Sequence, residues 1–200
     1  GPPASEAHQP ALRLGAADDL RGAGMTSSHP VTAICPGSYD PVTNGHLDII
    51  TRAAGIFERV VVGVVRAPGH KAPLFSVDER MAFLEEALAG PSNVEVEVFA
   101  ELVVEFARRW GARTIVKGLR AISDFEWEFQ MHHLNRKLAP EVETMYLMSS
   151  PQYSFLSSSG VKEIASFGGN VDDLVPEAVA RRFRELFPGG QGGAPVSPQE

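Results

Sequence analysis

The chain has 200 residues, of which 44% are hydrophobic and 22% are charged, a composition typical of one globular domain with a buried core. Its formal net charge of −7 lacks the basic footprint that duplex binding requires, so an anionic ligand would depend on a few locally placed cations. Cys35 is the only cysteine, which excludes an intramolecular disulfide and a multi-cysteine zinc site. Its apolar neighbours indicate a buried structural thiol.

The ends of the chain differ from its middle. Residues 1–28 carry scattered Pro, Gly, Ala and Asp without periodicity, and we predict a flexible leader there. Residues 189–200 are rich in Gly and Pro and predict a flexible tail. Residues 29–188 form the predicted domain. No apolar stretch approaches the roughly 20 residues of a membrane span, and we expect a cytoplasmic protein without membrane or nucleic-acid partners.

Strand and helix patterns alternate through the domain. The valine-rich Arg59–Val65 is typical of a strand buried on both faces. In chain order we predict a strand at Val31–Cys35, a helix at Val42–Phe57, a strand at Arg59–Val65, a helix from the Ser76–Glu79 capping box to Ala89, a strand at Val94–Phe99, a helix at Leu102–Trp110 ended by Gly111, a strand at Thr114–Val116, a helix at Asp124–Leu138, a strand at Thr144–Met148, and helices at Ser158–Phe167 and Pro176–Phe187.

This alternation predicts an α/β fold, a Rossmann-like open parallel five-stranded sheet with helices on both faces. Open sheets of this kind bind ligands beyond the carboxyl ends of their strands, where the strand order reverses. We therefore expect the functional residues just after strands.

The segment after the first strand, Pro36–His46, runs into the start of a helix. A helix N-terminus offers free amide donors and a positive potential, both suited to phosphate. His46 adds a donor that can stabilise charge on a phosphoryl oxygen in a transition state. Alone, the Gly-His pair indicates no more than a turn with a satisfied histidine, since Gly69-His70 repeats it.

The wider pattern is more specific. Thr43-x-Gly45-His46 after a strand resembles the signature of the nucleotidylyltransferase superfamily, and Pro36–His46 as a whole resembles the bacterial phosphopantetheine adenylyltransferases. Three further segments match that family in the same order: Val116–Arg120, Asp124–Met131 with Asn135-Arg136, and Tyr153–Ser159. The resemblance covers about residues 31–187, and four motifs in register make it strong.

Lys117 and Arg120 follow the fourth predicted strand three residues apart, where they can neutralise phosphates. In isolation, a lysine or arginine would more simply be a solvated surface charge, but here the two flank a strand end. The resemblance implies that Lys117, which is arginine in many members, contacts the phosphopantetheine side, as do Ser38 and Val103. It implies an ATP site made of Ser38, Tyr39, His46, Gly118, Leu119, Arg120, Glu128, Tyr153, Ser154, Phe155, Leu156, Ser157, Ser158 and Ser159. Helix capping alone would explain one of the serines, and Glu128 alone reads as a solvated helix charge.

The loop Ala67–Phe75 follows the second predicted strand. The resemblance implies a lysine here that contacts substrate and offsets phosphate charge, but the loop is one residue longer than the usual form. Alignment from the left selects His70, whereas Lys71 keeps the chemistry, and we choose Lys71. The expected catalytic residues are then His46, Lys71 and Arg120.

The resemblance implies transfer of the adenylyl group of ATP to 4′-phosphopantetheine, giving dephospho-coenzyme A and pyrophosphate. The acceptor phosphate is already an anion, so positioning and charge neutralisation suffice. We expect Mg²⁺ mainly on the ATP phosphates, with few or no protein ligands. The resemblance also implies feedback binding of coenzyme A and a homohexamer. The alternatives are another nucleotidylyltransferase, acting on nicotinamide mononucleotide or a sugar or glycerol phosphate, and a non-catalytic nucleotide-binding module.

Overall fold

The computed structural model describes residues 31–67 and 72–188. Five parallel strands form one sheet in the order β3-β2-β1-β4-β5. In chain order the elements are β1 (Thr32–Gly37), α1 (Asn44–Ala54), β2 (Arg59–Val65), α2 (Val77–Ala87), β3 (Val94–Phe99), α3 (Val103–Arg109), β4 (Thr114–Leu119), α4 (Ile122–Leu138), β5 (Glu143–Met148), a 3₁₀ turn (Pro151–Tyr153), α5 (Ser158–Ser166) and α6 (Glu177–Leu186).

Helices cover both faces of the sheet. Successive residues of each buried strand point to opposite sides, so each strand contributes apolar side chains to both faces. Val60, Val62 and Val64 join the cluster packed by α1, α2, α5 and α6. Val61, on the opposite face of the same strand, joins the cluster packed by α3. The predicted fold class is therefore confirmed.

Gly63 shows how tightly the second layer packs. The rings of Phe99 and Phe106 stack with centroids 4.5 Å apart, and a Cβ at position 63 would lie 2.5 Å from Phe106 Cε1. An interior glycine normally weakens a strand, but here it makes room for the aromatic pair.

Local signals set several helix ends. Ser76 and Glu79 form the predicted capping box before α2, with the Ser76 amide donating to Glu79 Oε2 at 2.9 Å and the Glu79 amide to Ser76 Oγ at 3.2 Å. Gly111, just past the cap of α3, has φ +62°, the left-handed conformation that glycine adopts without strain. The prediction that Gly111 ends this helix is confirmed.

The fourth strand is longer than predicted. The sequence pattern ended it at Val116, whereas β4 continues through Lys117 and Gly118 to Leu119, paired with β5 as far as Met148. Gly118 is required by packing and not by a turn, because a Cβ at position 118 would lie 2.9 Å from Ile49 Cγ1 of α1. Close packing of α1 on β4 therefore requires glycine at this position. Of the two predicted phosphate-binding cations, Lys117 lies within β4 and Arg120 follows it.

The strand order reverses between β1 and β4, since β2 and β3 extend one side of the sheet and β5 the other. His46 follows β1, and Lys117 and Arg120 lie at the end of β4, so the phosphate-binding candidates meet at this switch point. None of the helices in the described ranges is long and apolar enough to cross a membrane. The predicted leader, the predicted tail, His70 and Lys71 lie outside the described residues.

Candidate active site

A cleft of about 470 Å³ opens at the carboxyl ends of β1 and β4. Most of the predicted site residues line it, drawn from four separate segments of the chain. They are Tyr39, His46, Lys117, Gly118, Arg120, Glu128, Tyr153, Leu156, Ser157, Ser158 and Ser159. The structure thus brings together the predicted phosphate-binding groups.

His46 is held by the residue that caps its helix. The Thr43 amide donates to His46 Nδ1 at 3.0 Å, and the His46 amide donates to Thr43 Oγ1 at 3.4 Å, a reciprocal capping box with histidine in the usual place of glutamate. Because a backbone amide can only donate, Nδ1 is the unprotonated nitrogen and the ring proton is on Nε2. The imidazole therefore carries one N–H donor that Thr43 leaves free.

The surroundings of His46 favour this neutral form. Burial, reinforced by the positive charge of Arg120, lowers the pKa of His46 to about 4. Part of the residue still faces the cleft. At neutral pH His46 is thus an uncharged hydrogen-bond donor, a form in which imidazole can stabilise developing negative charge.

Tyr39 supports the histidine from below. Its ring meets the His46 ring edge-on at 5.2 Å, and its hydroxyl donates to the Cys35 carbonyl at 2.9 Å. Its backbone φ is +48°, an uncommon conformation for a side-chain-bearing residue. A Cβ at Gly37 would lie 3.0 Å from this ring, so Gly37 makes room for the tyrosine.

Arg120 links α4 to the segment that precedes α5. Its guanidinium donates to both oxygens of Asp124, at 2.9 and 3.1 Å, and to the Leu156 carbonyl at 2.7 Å. Asp124 was not among the predicted site residues. An acidic residue four positions after an arginine is a signal that could have identified it.

Lys117 also has a carboxylate partner. Its ammonium lies 2.8 and 2.9 Å from the two oxygens of Glu128, with the Lys117 and Glu128 side chains 29% and 17% exposed. The resemblance assigned these residues to different ligands, phosphopantetheine and ATP. In this structure they neutralise each other.

The serines at the start of α5 have distinct partners. Ser157 caps the helix, accepting from the Gly160 amide at 3.1 Å, and the Ser158 hydroxyl donates to the Pro41 carbonyl at 2.8 Å. With Ser159 they line the cleft beside the helix N-terminus, an arrangement suited to phosphate.

Five predicted residues lie away from the cleft lining. Ser38 uses its carbonyl to accept from Arg80, and Val103 packs on the second core cluster. Leu119 ends β4, the Ser154 hydroxyl donates to the Pro151 carbonyl, and Phe155 is 72% exposed. Their binding roles stay predictions.

Cys35 lies at the floor of the cleft, 2% exposed. Burial raises the pKa of its thiol to about 12, and the prediction of a buried thiol is confirmed. A protonated thiol is a weak nucleophile, so this residue acts as packing.

Residues 34–164 match the cytidylyltransferase-like family model. This match, together with a cleft lined by cations and hydroxyls at the switch point of a parallel sheet, defines the protein as a nucleotidyltransferase.

Curated relatives narrow the class. The chain is 55% identical to the phosphopantetheine adenylyltransferase of Alkaliphilus metalliredigens over 73% of this chain and 92% of that protein. It is 53% identical to that of Heliobacterium modesticaldum over 82% and 98%, and 54% identical to that of Caldanaerobacter subterraneus over 78% and 96%. The chain therefore belongs to the phosphopantetheine adenylyltransferase family.

Proposed function

We propose that this protein transfers the adenylyl group of ATP to 4′-phosphopantetheine, producing dephospho-coenzyme A and pyrophosphate in coenzyme A biosynthesis. The observation that carries this function is the cleft in which the His46 donor, two cations and the serine-rich start of α5 converge. These groups suit a reaction whose reactants and products are all phosphates.

In the proposed step, a phosphate oxygen of 4′-phosphopantetheine attacks the α-phosphorus of ATP. The new oxygen–phosphorus bond forms as the bond to the β-phosphate bridging oxygen breaks, and pyrophosphate leaves with that electron pair. The attacking phosphate is an anion near neutral pH, so the residues need only align the reactants and stabilise charge.

His46 would donate its Nε2–H to an oxygen of the α-phosphate. The Thr43 amide on Nδ1 fixes the ring and its tautomer, and the lowered pKa keeps the ring neutral. A donor held in this way needs no reorganisation as charge develops in the transition state.

Arg120 and Lys117 would supply positive charge on the opposite wall of the cleft. We assign Arg120 to ATP and Lys117 to the acceptor phosphate, with Lys71 as a third cation from its loop. Lys117 and Arg120 each form an ion pair with a carboxylate, so incoming phosphates must share or replace those partners.

Mg²⁺ fits this proposal as a companion of ATP. Within residues 31–67 and 72–188, no group of three or more His, Cys, Asp or Glu side chains is arranged to hold a metal ion. The hydroxyls and cations of the cleft suit phosphate oxygens instead, so we assign Mg²⁺ to the phosphates of ATP. Bound there, the ion would further neutralise phosphate charge.

We also propose that the protein is a homohexamer and that coenzyme A inhibits it by feedback, since coenzyme A contains both the phosphopantetheine and the adenylyl groups of the substrates. Support for assembly comes from exposed apolar side chains on α4 and the edge strand β5, namely Phe125, Phe129, Leu134, Leu138, Met145 and Met148. Several exposed apolar side chains on neighbouring elements are typical of protein interfaces. We place the protein in the cytoplasm, where ATP is available. The net charge of −7 supports the absence of nucleic-acid partners.

A pyrophosphate-release assay tests the activity. ATP with 4′-phosphopantetheine should release pyrophosphate, whereas ATP with nicotinamide mononucleotide, and CTP with glycerol phosphate, should release little. Faster release with either of these pairs would replace the proposed acceptor. Nucleotide binding without release in any pairing would indicate a non-catalytic module.

A further inference from the structure

Asp40 is a buried carboxylate whose contacts reach well beyond its own loop. The residue is 6% exposed. One carboxylate oxygen accepts from the Phe75 amide at 2.9 Å, and the other accepts from the Leu74 amide at 3.0 Å and from Lys162 Nζ at 2.6 Å. A single side chain thus joins the β1–α1 loop, the approach to α2, and α5.

Helix α5 has a second tie to the same place. The Ser158 hydroxyl donates to the Pro41 carbonyl at 2.8 Å. Ser158 and Lys162 are four residues apart and so lie on one face of the helix. This face contacts the Asp40 carboxylate and the Pro41 carbonyl at two points one helical turn apart, and so ties α5 to the β1–α1 loop.

Arg80 secures the other side of the loop. Its side chain is 1% exposed and donates to the carbonyls of Ser38, Val65 and Arg66 at 2.7, 2.9 and 3.0 Å. The β1–α1 loop is therefore tied to the end of β2 through Arg80, and to Leu74-Phe75 through Asp40.

We propose that Asp40 is a positioning residue for the transfer reaction. It holds the start of α5 and its serines in fixed register with His46, six residues further along the chain. This inference rests on the proposed function, because it assigns His46 to the α-phosphate of ATP and the start of α5 to the leaving pyrophosphate. Asp40 touches no reacting atom and acts through its partners.

The charge state of Asp40 supports this role. Burial alone would raise its pKa, but the hydrogen bond from Lys162 and the Phe75 and Leu74 amides outweigh it and lower the pKa below its usual value. Arg80 also faces the carboxylate. Asp40 is thus an anion near neutral pH, and asparagine in its place would turn a donor toward an amide or an ammonium.

The test is a double-mutant cycle on pyrophosphate release. Asp40→Asn should lower kcat by about 10- to 100-fold, the cost of a misalignment of about 1 Å between reacting groups. In a His46→Ala background the same change should lower kcat by less than about 3-fold, because the donor to be aligned is gone. Equal losses in both backgrounds would overturn the proposal, since a merely structural role acts without regard to His46.

Lys162 provides a second route if Asp40→Asn does not fold. Lys162→Met removes the ion pair while keeping the apolar stem, and should show the same dependence on His46. Lys162→Arg keeps the charge and should recover most of kcat. A loss with arginine as large as with methionine would contradict a role for the ion pair.

Val179→Ala is the matched stability control, because Val179 is fully buried in α6 and does not line the cleft. It should lower the melting temperature while leaving kcat near the wild-type value. A fall in kcat that tracks melting temperature across all variants would overturn the proposal. Wild-type pyrophosphate release with 4′-phosphopantetheine is measured first. No release by the wild type would refute the proposed function, whereas wild-type release with equal losses in both backgrounds would refute only the positioning role of Asp40.

Discussion

The two walls of the cleft are built on different principles. One wall, here the histidine wall, comprises Tyr39, Thr43 and His46. It is neutral, and its polar atoms bond to atoms of the same short segment of the chain, residues 35–46. The other, the cation wall, comprises Lys117, Arg120, Asp124 and Glu128, in which each cation holds a carboxylate.

The difference separates what is fixed before substrates bind from what must rearrange. The bonds of the histidine wall leave the His46 Nε2–H free and need not break to admit phosphate, so its donor is preorganised. The cations of the cation wall must share or exchange their carboxylate partners when phosphate binds, and the cost of that rearrangement reduces their net contribution to binding. We therefore expect changes in the histidine wall to act mainly on kcat, and changes in the cation wall mainly on KM.

The largest effect should come from His46→Ala. Loss of a preorganised donor to transition-state charge typically costs roughly 3–4 kcal/mol, a fall in kcat of about 100- to 1000-fold. ATP affinity should change only modestly, because the donor acts mostly in the transition state. Pyrophosphate release and ATP titration measure the two quantities.

His132→Ala is a control for that variant, since His132 lies on α4 away from the cleft lining, and kcat should be unchanged. A His46→Ala protein with half the wild-type rate would refute the role of the donor.

Lys71→Ala should have the next largest effect. A permanent cation near phosphate is worth about 2 kcal/mol, or about 30-fold in rate, and lysine with a reference pKa of about 10.4 is charged where histidine at about 6.5 is mostly neutral. His70→Ala should be mild. A steep loss at His70 with little at Lys71 would reverse the assignment, and the wild-type rate at saturating ATP should then rise toward pH 6.

Glu128→Gln should have a smaller effect, and it should improve binding of the acceptor instead of weakening it. Freeing Lys117 from a partly exposed ion pair, worth up to about 1 kcal/mol, should lower the KM for 4′-phosphopantetheine by about 2- to 5-fold. Glu126→Gln removes the same charge from an exposed neighbouring position of α4 and serves as control. An unchanged or raised KM for the acceptor in Glu128→Gln would show that the pair does not compete with phosphate.

The smallest effect concerns protonation, which should change nothing at neutral pH. With the pKa of His46 lowered to about 4, its Cε1–H signal in NMR spectra should stay that of a neutral ring from pH 8 to pH 5. His46→Gln assigns the signal, and a midpoint near 6.5 would contradict the structure. Arg120→Met should raise the midpoint, since the arginine contributes to the shift after burial does.

The sign for stability follows from the same shift. The folded pKa lies below the reference value of about 6.5, so between pH 6.5 and about 4 the unfolded chain binds more protons at His46 than the folded chain. His46 therefore costs stability progressively as the pH falls through that window.

Regular elements were readily predictable from local patterns. The valine-rich β2 and the capping box of α2 lie where the sequence indicated, because burial on both faces and end capping depend on neighbouring residues. The end of β4 did not follow from its own sequence. Lys117-Gly118 reads as a turn, and only pairing with β5 makes it strand.

The site was predictable as a set of residues but not as a set of contacts. Motifs identified His46, Lys117, Arg120 and Glu128, yet the Lys117–Glu128 pair joins residues whose chain positions say nothing of their contact. Thr43 carried a readable signal, since it stands three residues before His46 as serine does before glutamate in a capping box. The junction at Asp40 depends on α5, far along the chain, and no local pattern reveals it.

The buried thiol has a practical consequence for chemical labelling. Because Cys35 is the sole cysteine and burial raises its pKa to about 12, maleimides and other thiol-directed electrophiles will find almost no thiolate to attack in the folded protein. A cysteine introduced on an exposed helix would then be the single reactive thiol, without prior removal of the native one. Fluorophores or spin labels can be attached there to follow substrate binding while the floor of the cleft stays intact.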